Sequence, residues 1–193
     1  MKRIALTAMA GLIAPLAHAQ EHRELGAHVH GVSKLELAIE DGRLEMMLRS
    51  PGADIVGFEH AAESDDDKAA VEAAIARLKE GATLFALPPA AGCSLISASA
   101  ELESGAHVHD DDHDHHAEEG HDHEDHHDDD HGGHSEFHAA YSFECADTGA
   151  LTQIGFPFFG AFPNAHEIEA QYVTDSGAGA AEVSAAGAEL KLD

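Results

Sequence analysis

The sequence predicts an α+β fold: a largely antiparallel sheet, one or two helices and a long, disordered His/Asp-rich loop. Three observations carry this. Several short stretches alternate apolar and polar residues and are joined by hairpin-length links. One segment repeats apolar residues at helical spacing behind a strong cap. Residues 107–138 hold 12 His and 13 Asp or Glu, with no Lys or Arg.

Along the chain, Lys2 and Arg3 precede a mostly apolar stretch at 4–16, and Ala17-His18-Ala19 follows. This order reads as a secretory signal peptide over 1–19, cleaved before Gln20. No cysteine stands at the cleavage point, which argues against a lipid anchor. No later segment has 18 consecutive apolar residues, so membrane insertion of the mature chain is not expected. Residues 20–193 read as one domain of ordinary size.

Leu35, Leu37 and Ile39 alternate on one face, as do Leu44, Met46 and Leu48. Asp41-Gly42 between them is a type I′ hairpin signal. A two-residue loop there pairs Ile39 with Leu44, Leu37 with Met46 and Leu35 with Leu48, so turn and pattern agree on register. Glu40 and Arg43 then face each other beside the turn. Ser50-Pro51-Gly52 ends the second strand. Ser64 followed by Asp65-Asp66-Asp67 is a helix start, with Ser64 as N-cap and the acids complementing the helix dipole. Val71, Ile75 and Leu78 continue at helical spacing, and Gly81 stops the helix.

Residues 83–87 read as a short strand before Pro88-Pro89, and 93–102 as a strand of open register. Phe137, Ala139, Tyr141, Phe143 and Cys145 alternate as a clear strand. Residues 151–159 read as a strand ending near Pro157, and Phe162-Pro163-Asn164-Ala165 as a turn. Ile168, Ala170 and Tyr172 mark a further strand. Glu182-Val183 and Leu190-Lys191-Leu192 supply candidate edge strands.

The formal charge is −27, from 37 Asp and Glu against 10 Lys and Arg. Such a polyanion argues against nucleic acid, because it offers no basic surface to displace phosphate counterions. It argues equally against anionic lipid. It suits divalent cations, because the chain also has 18 histidines. The run carries His107 and His109, then His113, His115 and His116, then His121, His123, His126 and His127, then His131 and His134. Neutral imidazole is a good zinc ligand and carboxylate an acceptable one. Alternating the two offers many equivalent ligand sets, and the dense acids concentrate cations near them. Almost nothing in the run can build a core. A collector role suits it better than one selective site. The same donors accept Cu(II) and Ni(II), and binding weakens below about pH 6, where histidine takes up protons.

A second cluster lies outside the run. His28 and His30 are two apart and share a strand face. By parity that face is opposite Leu35 and Leu37, unless Gly31 introduces a bulge. His60 is the expected third ligand, with Glu59, His138 or His166 as a fourth. No GxSxG, P-loop or strand-linked GxGxxG occurs, so no catalytic residue and no enzyme activity are expected. The Asp-rich runs lack EF-hand spacing, which makes calcium a poorer candidate than an imidazole-binding metal. Cys93 and Cys145 flank the run. An even count in an exported chain suggests a disulfide closing it as a loop; a pair of thiolate metal ligands is the alternative.

These features, taken in order, resemble a known family. A leader precedes His28-Val29-His30-Gly31; Ser50-Pro51 leads to Val56-Gly57-Phe58-Glu59-His60. A capped helix, Cys93 and a His/Asp tract follow, then Tyr141-Ser142-Phe143-Glu144-Cys145 and Phe159-Gly160-Ala161-Phe162-Pro163. The chain is similar to ZrgA-type periplasmic zinc-uptake proteins over essentially its whole mature length, and least so over 176–188. The resemblance implies a periplasmic protein that binds Zn2+ and works with an ABC-type importer. The competing reading is a periplasmic buffer or tolerance protein that sequesters excess Zn, Cu or Ni.

Overall fold

The structure, a computed structural model, describes residues 29–104 and 134–192. The leader, His28 and the histidines from His107 to His131 lie outside the described residues.

Asp41 and Gly42 both adopt positive φ, 52° and 78°, which is what a type I′ turn requires. They join β1 (Val32–Glu40) to β2 (Arg43–Pro51) in the expected register, with Leu35 opposite Leu48, Leu37 opposite Met46 and Ile39 opposite Leu44. Single-turn α1 (Gly52–Ile55) follows directly. Then comes α2 (Asp65–Leu78), whose Asp67 N–H donates to the Ser64 hydroxyl at 3.0 Å. Residues 83–87 depart from the expected strand. Gly81–Leu84 is the single-turn α3, and only Ala86 keeps a strand-like bridge, to Gly155. Gly81 is needed there, because a Cβ would lie 2.5 Å from the Tyr141 ring. The tight approach lets the buried Tyr141 hydroxyl donate to the Leu78 carbonyl at 2.9 Å and close the end of α2.

The long strands β3 (Cys93–Ser104) and β4 (Ser135–Cys145) pair antiparallel. A register shift between Leu95 and Ser97 explains why alternation fails in the β3 sequence. The extra residue flips parity, so that Cys93 and Leu95 lie on the same face as Ala98, Ala100 and Leu102. Residues 151–159 split into β5 (Gln153–Gly155) and single-turn α4 (Phe158–Ala161), with Pro157 between them. β6 (Glu167–Thr174), β7 (Gly177–Ser184) and β8 (Glu189–Lys191) complete the chain. Thus the alanine- and glycine-rich tail does form an edge strand. The described residues contain four α-helices, more than the one or two expected, because three of them are single turns too short to leave a periodic signal.

The main sheet runs β3-β4-β2-β1-β6-β7, and β5 and β8 form a separate pair. Only β1 and β6 pair in parallel; every other neighbour pair is antiparallel. One sheet face is apolar, lined by Leu35, Leu48, Phe137, Tyr141 and Ile168, and is covered by Leu78, Leu84, Phe85, Phe156 and Phe158. The other face carries Glu36, Glu45, Arg49 and Ser142. There Arg49 Nη2 donates to Glu36 at 2.7 Å and the Ser142 hydroxyl to Glu45 at 2.6 Å.

Cys93 and Cys145 are disulfide-bonded, as expected. They form the first cross-strand pair of β3 and β4, at the end opposite the Ser104–Ser135 pair. The bond therefore closes a loop made of both strands together with the His/Asp-rich run.

Candidate metal centre

Among the described residues, the buried polar or charged side chains are Ser33, Ser50, Asp54, Ser135 and Glu136. All belong to one end of the sheet: the start of β1, the end of β2, α1 and the start of β4. The Ser33 and Ser50 hydroxyls bond each other at 2.7 Å.

Gly31 turns the chain into β1 with φ at +86°. Its N–H donates to Asp54 Oδ1 at 2.6 Å, and its carbonyl accepts from the His166 and Glu167 amides, both at 2.9 Å. This clamp sets His30 just ahead of the strand. On the neighbouring side, Gly52 packs α1 against the start of β4. A Cβ there would lie 2.3 Å from the Ser135 hydroxyl oxygen and 2.6 Å from the Phe58 carbonyl oxygen. The loop through Gly57 then presents Glu59 to two imidazoles. His30 Nε2 lies 3.1 Å from Glu59 Oε2, and His134 Nδ1 lies 2.8 Å from the same oxygen. Both rings are well exposed while the Glu59 side chain is only 13% exposed.

Burial pushes the Glu59 carboxyl up. Its hydrogen bonds with His134 and His30 outweigh burial and hold the group below the ordinary glutamate value. Asp54 shows the opposite balance. Burial dominates and pushes its carboxyl up, with partial relief from the Gly31 N–H and from His30 and His166. Three buried polar atoms at this end have no hydrogen-bond partner: Asp54 Oδ2, Glu59 Oε1 and Ser135 Oγ. Buried carboxylate oxygens are costly when unpaired, and Asp54 Oδ2 and Glu59 Oε1 leave acceptors here for a donor or a cation.

His30 and His134 therefore converge, and Glu59, expected only as a fourth ligand, joins them. His166 flanks the same clamp through its backbone, and its ring lies 3.0 Å from where a Gly31 Cβ would stand. The contacts of His60 lead elsewhere: its ring stacks on Phe58 at 4.6 Å, and its Nδ1 lies 3.0 Å from the Ala61 carbonyl. His138 meets Glu136 and Glu103 instead. His28 and the histidines of the run before His134 lie outside the described residues. Asp54 and Ser135 escaped sequence reading, because a lone acid after Pro-Gly and a lone serine before a strand carry no distinctive pattern.

Two imidazole nitrogens and one carboxylate form a donor set that zinc accepts with a fourth position left open. Among the described residues no three or more His, Cys, Asp or Glu side chains form a ready-made metal cage. Glu59 Oε2 instead holds both imidazoles close, so an ion would have to part them.

No curated protein matches the chain. The model of the ZrgA family zinc uptake protein matches residues 27–192, a stretch that contains the whole His30–Glu59–His134 cluster and both cysteines, and the chain belongs to that family.

Proposed function

We propose that this protein captures Zn2+ in the periplasm and supports its delivery to an ABC-type importer, without enzymatic activity of its own. The observation that carries the reading is the convergence of His30 and His134 on Glu59, with His134 at the end of the His/Asp-rich run. In this reading the run collects ions at moderate affinity, because ordering a polar chain around each ion costs conformational entropy. The cluster at Glu59 then holds one ion more tightly, since His30 sits in a clamped turn just before β1, His134 directly precedes β4 and Glu59 is held in the loop after α1. Its open fourth position lets a ligand of a receiving protein enter before the first set lets go. Until then His28, two residues before His30, is the candidate to occupy that position, to be displaced by the incoming ligand. The export leader and the disulfide fit an oxidising compartment outside the cytoplasm.

Zinc titration tests the proposal, with three proteins compared: the mature chain, a variant lacking residues 107–131, and that variant with Glu59→Gln. The variant must keep His134. The mature chain is expected to bind several ions and the shortened chain fewer, one of them at the Glu59 cluster. Adding Glu59→Gln to the shortened chain should lose at least about tenfold in affinity, the scale seen for lesser changes around metal ligands. A shortened chain that binds no zinc would remove the structured site. Equal stoichiometry with and without 107–131 would remove the collector. Growth of a deletion strain in chelated medium tests delivery, and unimpaired growth without another zinc importer would favour buffering instead.

A further inference from the structure

The open face of the sheet carries a second cluster that shares no side chain with the first. Glu136 and His138 are two residues apart on β4, so both leave the same face. The ladder sets Glu103 of β3 directly across from Glu136, and Glu101 across from His138. His138 Nε2 lies 2.5 Å from Glu136 Oε2 and 3.6 Å from Glu103 Oε2. Glu136 is only 7% exposed. A poorly hydrated carboxylate thus faces a second carboxylate across a strand pair, and like charges so placed repel.

We propose that His138, Glu136 and Glu103 are a second binding site for a borderline divalent cation, with Zn2+ as the expected ion. One imidazole and two carboxylates are all ligands that zinc accepts. With bonds of about 2.0–2.2 Å in tetrahedral geometry, its ligand atoms stand about 3.3 Å apart. The His138–Glu103 spacing is already close to that value. The shorter His138–Glu136 contact is a hydrogen bond that opens by about 0.8 Å to admit the ion. Metal replaces the Nε2 proton: a neutral ring shifts to its Nδ1–H tautomer, and a protonated ring releases one proton to water. The ion neutralises the facing carboxylates. The site stands on the two strands that lead into and out of residues 105–133, which gives zinc held by the run a second rigid acceptor besides Glu59.

Residue-resolved carbethoxylation of the full mature chain, read by mass spectrometry at His138 with and without Zn2+, tests this despite the many other histidines. Zinc is expected to slow modification of His138 about tenfold or more in the wild type and equally in Glu59→Gln, which separates this site from the first. In Glu103→Gln and Glu136→Gln, the zinc needed for half-protection should rise by at least about tenfold. Glu103 is a third exposed at a strand end, so its variant keeps the test intact if the Glu136 variant fails to fold. The same His138 rate with and without zinc would overturn the proposal. So would undiminished protection in the Glu103 variant, because cover by the His/Asp-rich run would then explain it.

Discussion

The β3–β4 ribbon has two unlike ends. At one, Cys93 is bonded to Cys145 beside the apolar core. At the other, Ser104 faces Ser135, and the neighbourhood contains Asp54, Glu59, Glu136 and three imidazoles. Ten residues of strand separate Cys145 from Ser135, roughly 34 Å at an extended rise. The covalent tether thus lies far from the candidate metal ligands. The ligand end is held instead by ladder hydrogen bonds, the Gly31–Asp54 clamp and the Gly52 contact. Stability and zinc capture should therefore be largely separable, and each prediction below probes that separation.

The largest effect is expected at the cysteine end. Replacing Cys93 and Cys145 together by Ser opens a loop of sequence separation 52, which chain-entropy arguments put at about 4 kcal/mol of stability. Urea denaturation measures it. The zinc stoichiometry of the folded variant should stay unchanged, and a parallel loss of bound ions would break the separation.

Next comes Gly52→Ala at the ligand end. The new methyl must displace the Ser135 hydroxyl and the Phe58 carbonyl, a strain of about 1–3 kcal/mol. Because those residues lie beside His134 and Glu59, zinc affinity should fall along with stability. Stability loss with full affinity would show that this contact does not position the ligands.

Tyr141→Phe should cost about 1 kcal/mol through the lost hydrogen bond to Leu78 and leave zinc binding intact. Burial pushes the Tyr141 phenol up. The folded state thus keeps its proton where the unfolded chain loses it. Wild-type stability falls as pH rises above the unfolded phenol value of about 10, and the Phe variant should lack that share of the alkaline loss.

The smallest change is expected for Asp54→Asn, followed by urea denaturation across acid to neutral pH. The raised Asp54 carboxyl binds its proton more tightly folded than unfolded, so its contribution is fully present below the unfolded value and falls as pH rises through the folded one. Glu59 runs the other way: its lowered carboxyl adds stability above the unfolded value, lost as pH falls through the folded one. The Asn variant should therefore gain on wild type as pH rises, with the Gly31 N–H still bonded to the amide oxygen. A gap that stays constant with pH would place the cost of Asp54 elsewhere.

Much of the fold was legible because its signals are local. The 41–42 turn and the alternation on both sides of it share one register, and Ser64 needs only Asp67 to cap α2. Residues 83–87 were misread as a strand, because a single-turn helix beside a glycine leaves no period to detect; the strand expected over 151–159 does form before Pro157 but is shorter, and a single-turn helix follows it. The register of β3 stayed open because one bulge reverses which residues face the core. In the candidate site, His30 and His134 were readable from composition and spacing. Their shared partner was less so, since Glu59 and His60 are adjacent and only the turn of the loop decides which one faces the imidazoles.

By itself the sequence determined the β1–β2 hairpin, the capped helix and a donor chemistry of imidazole beside carboxylate, and it suggested a disulfide. Those features depend on neighbours a few residues apart or on composition. Only the tertiary structure decided that the disulfide sits at the end of the β3–β4 ribbon opposite Ser104 and Ser135, and that the carboxylates meeting histidines are Glu59, Glu136 and Glu103. A metal shell needs atoms within a few ångströms, drawn here from segments around residues 30, 59 and 134. Chain periodicity carries no information about such distances until β1, β2 and β4 are laid side by side.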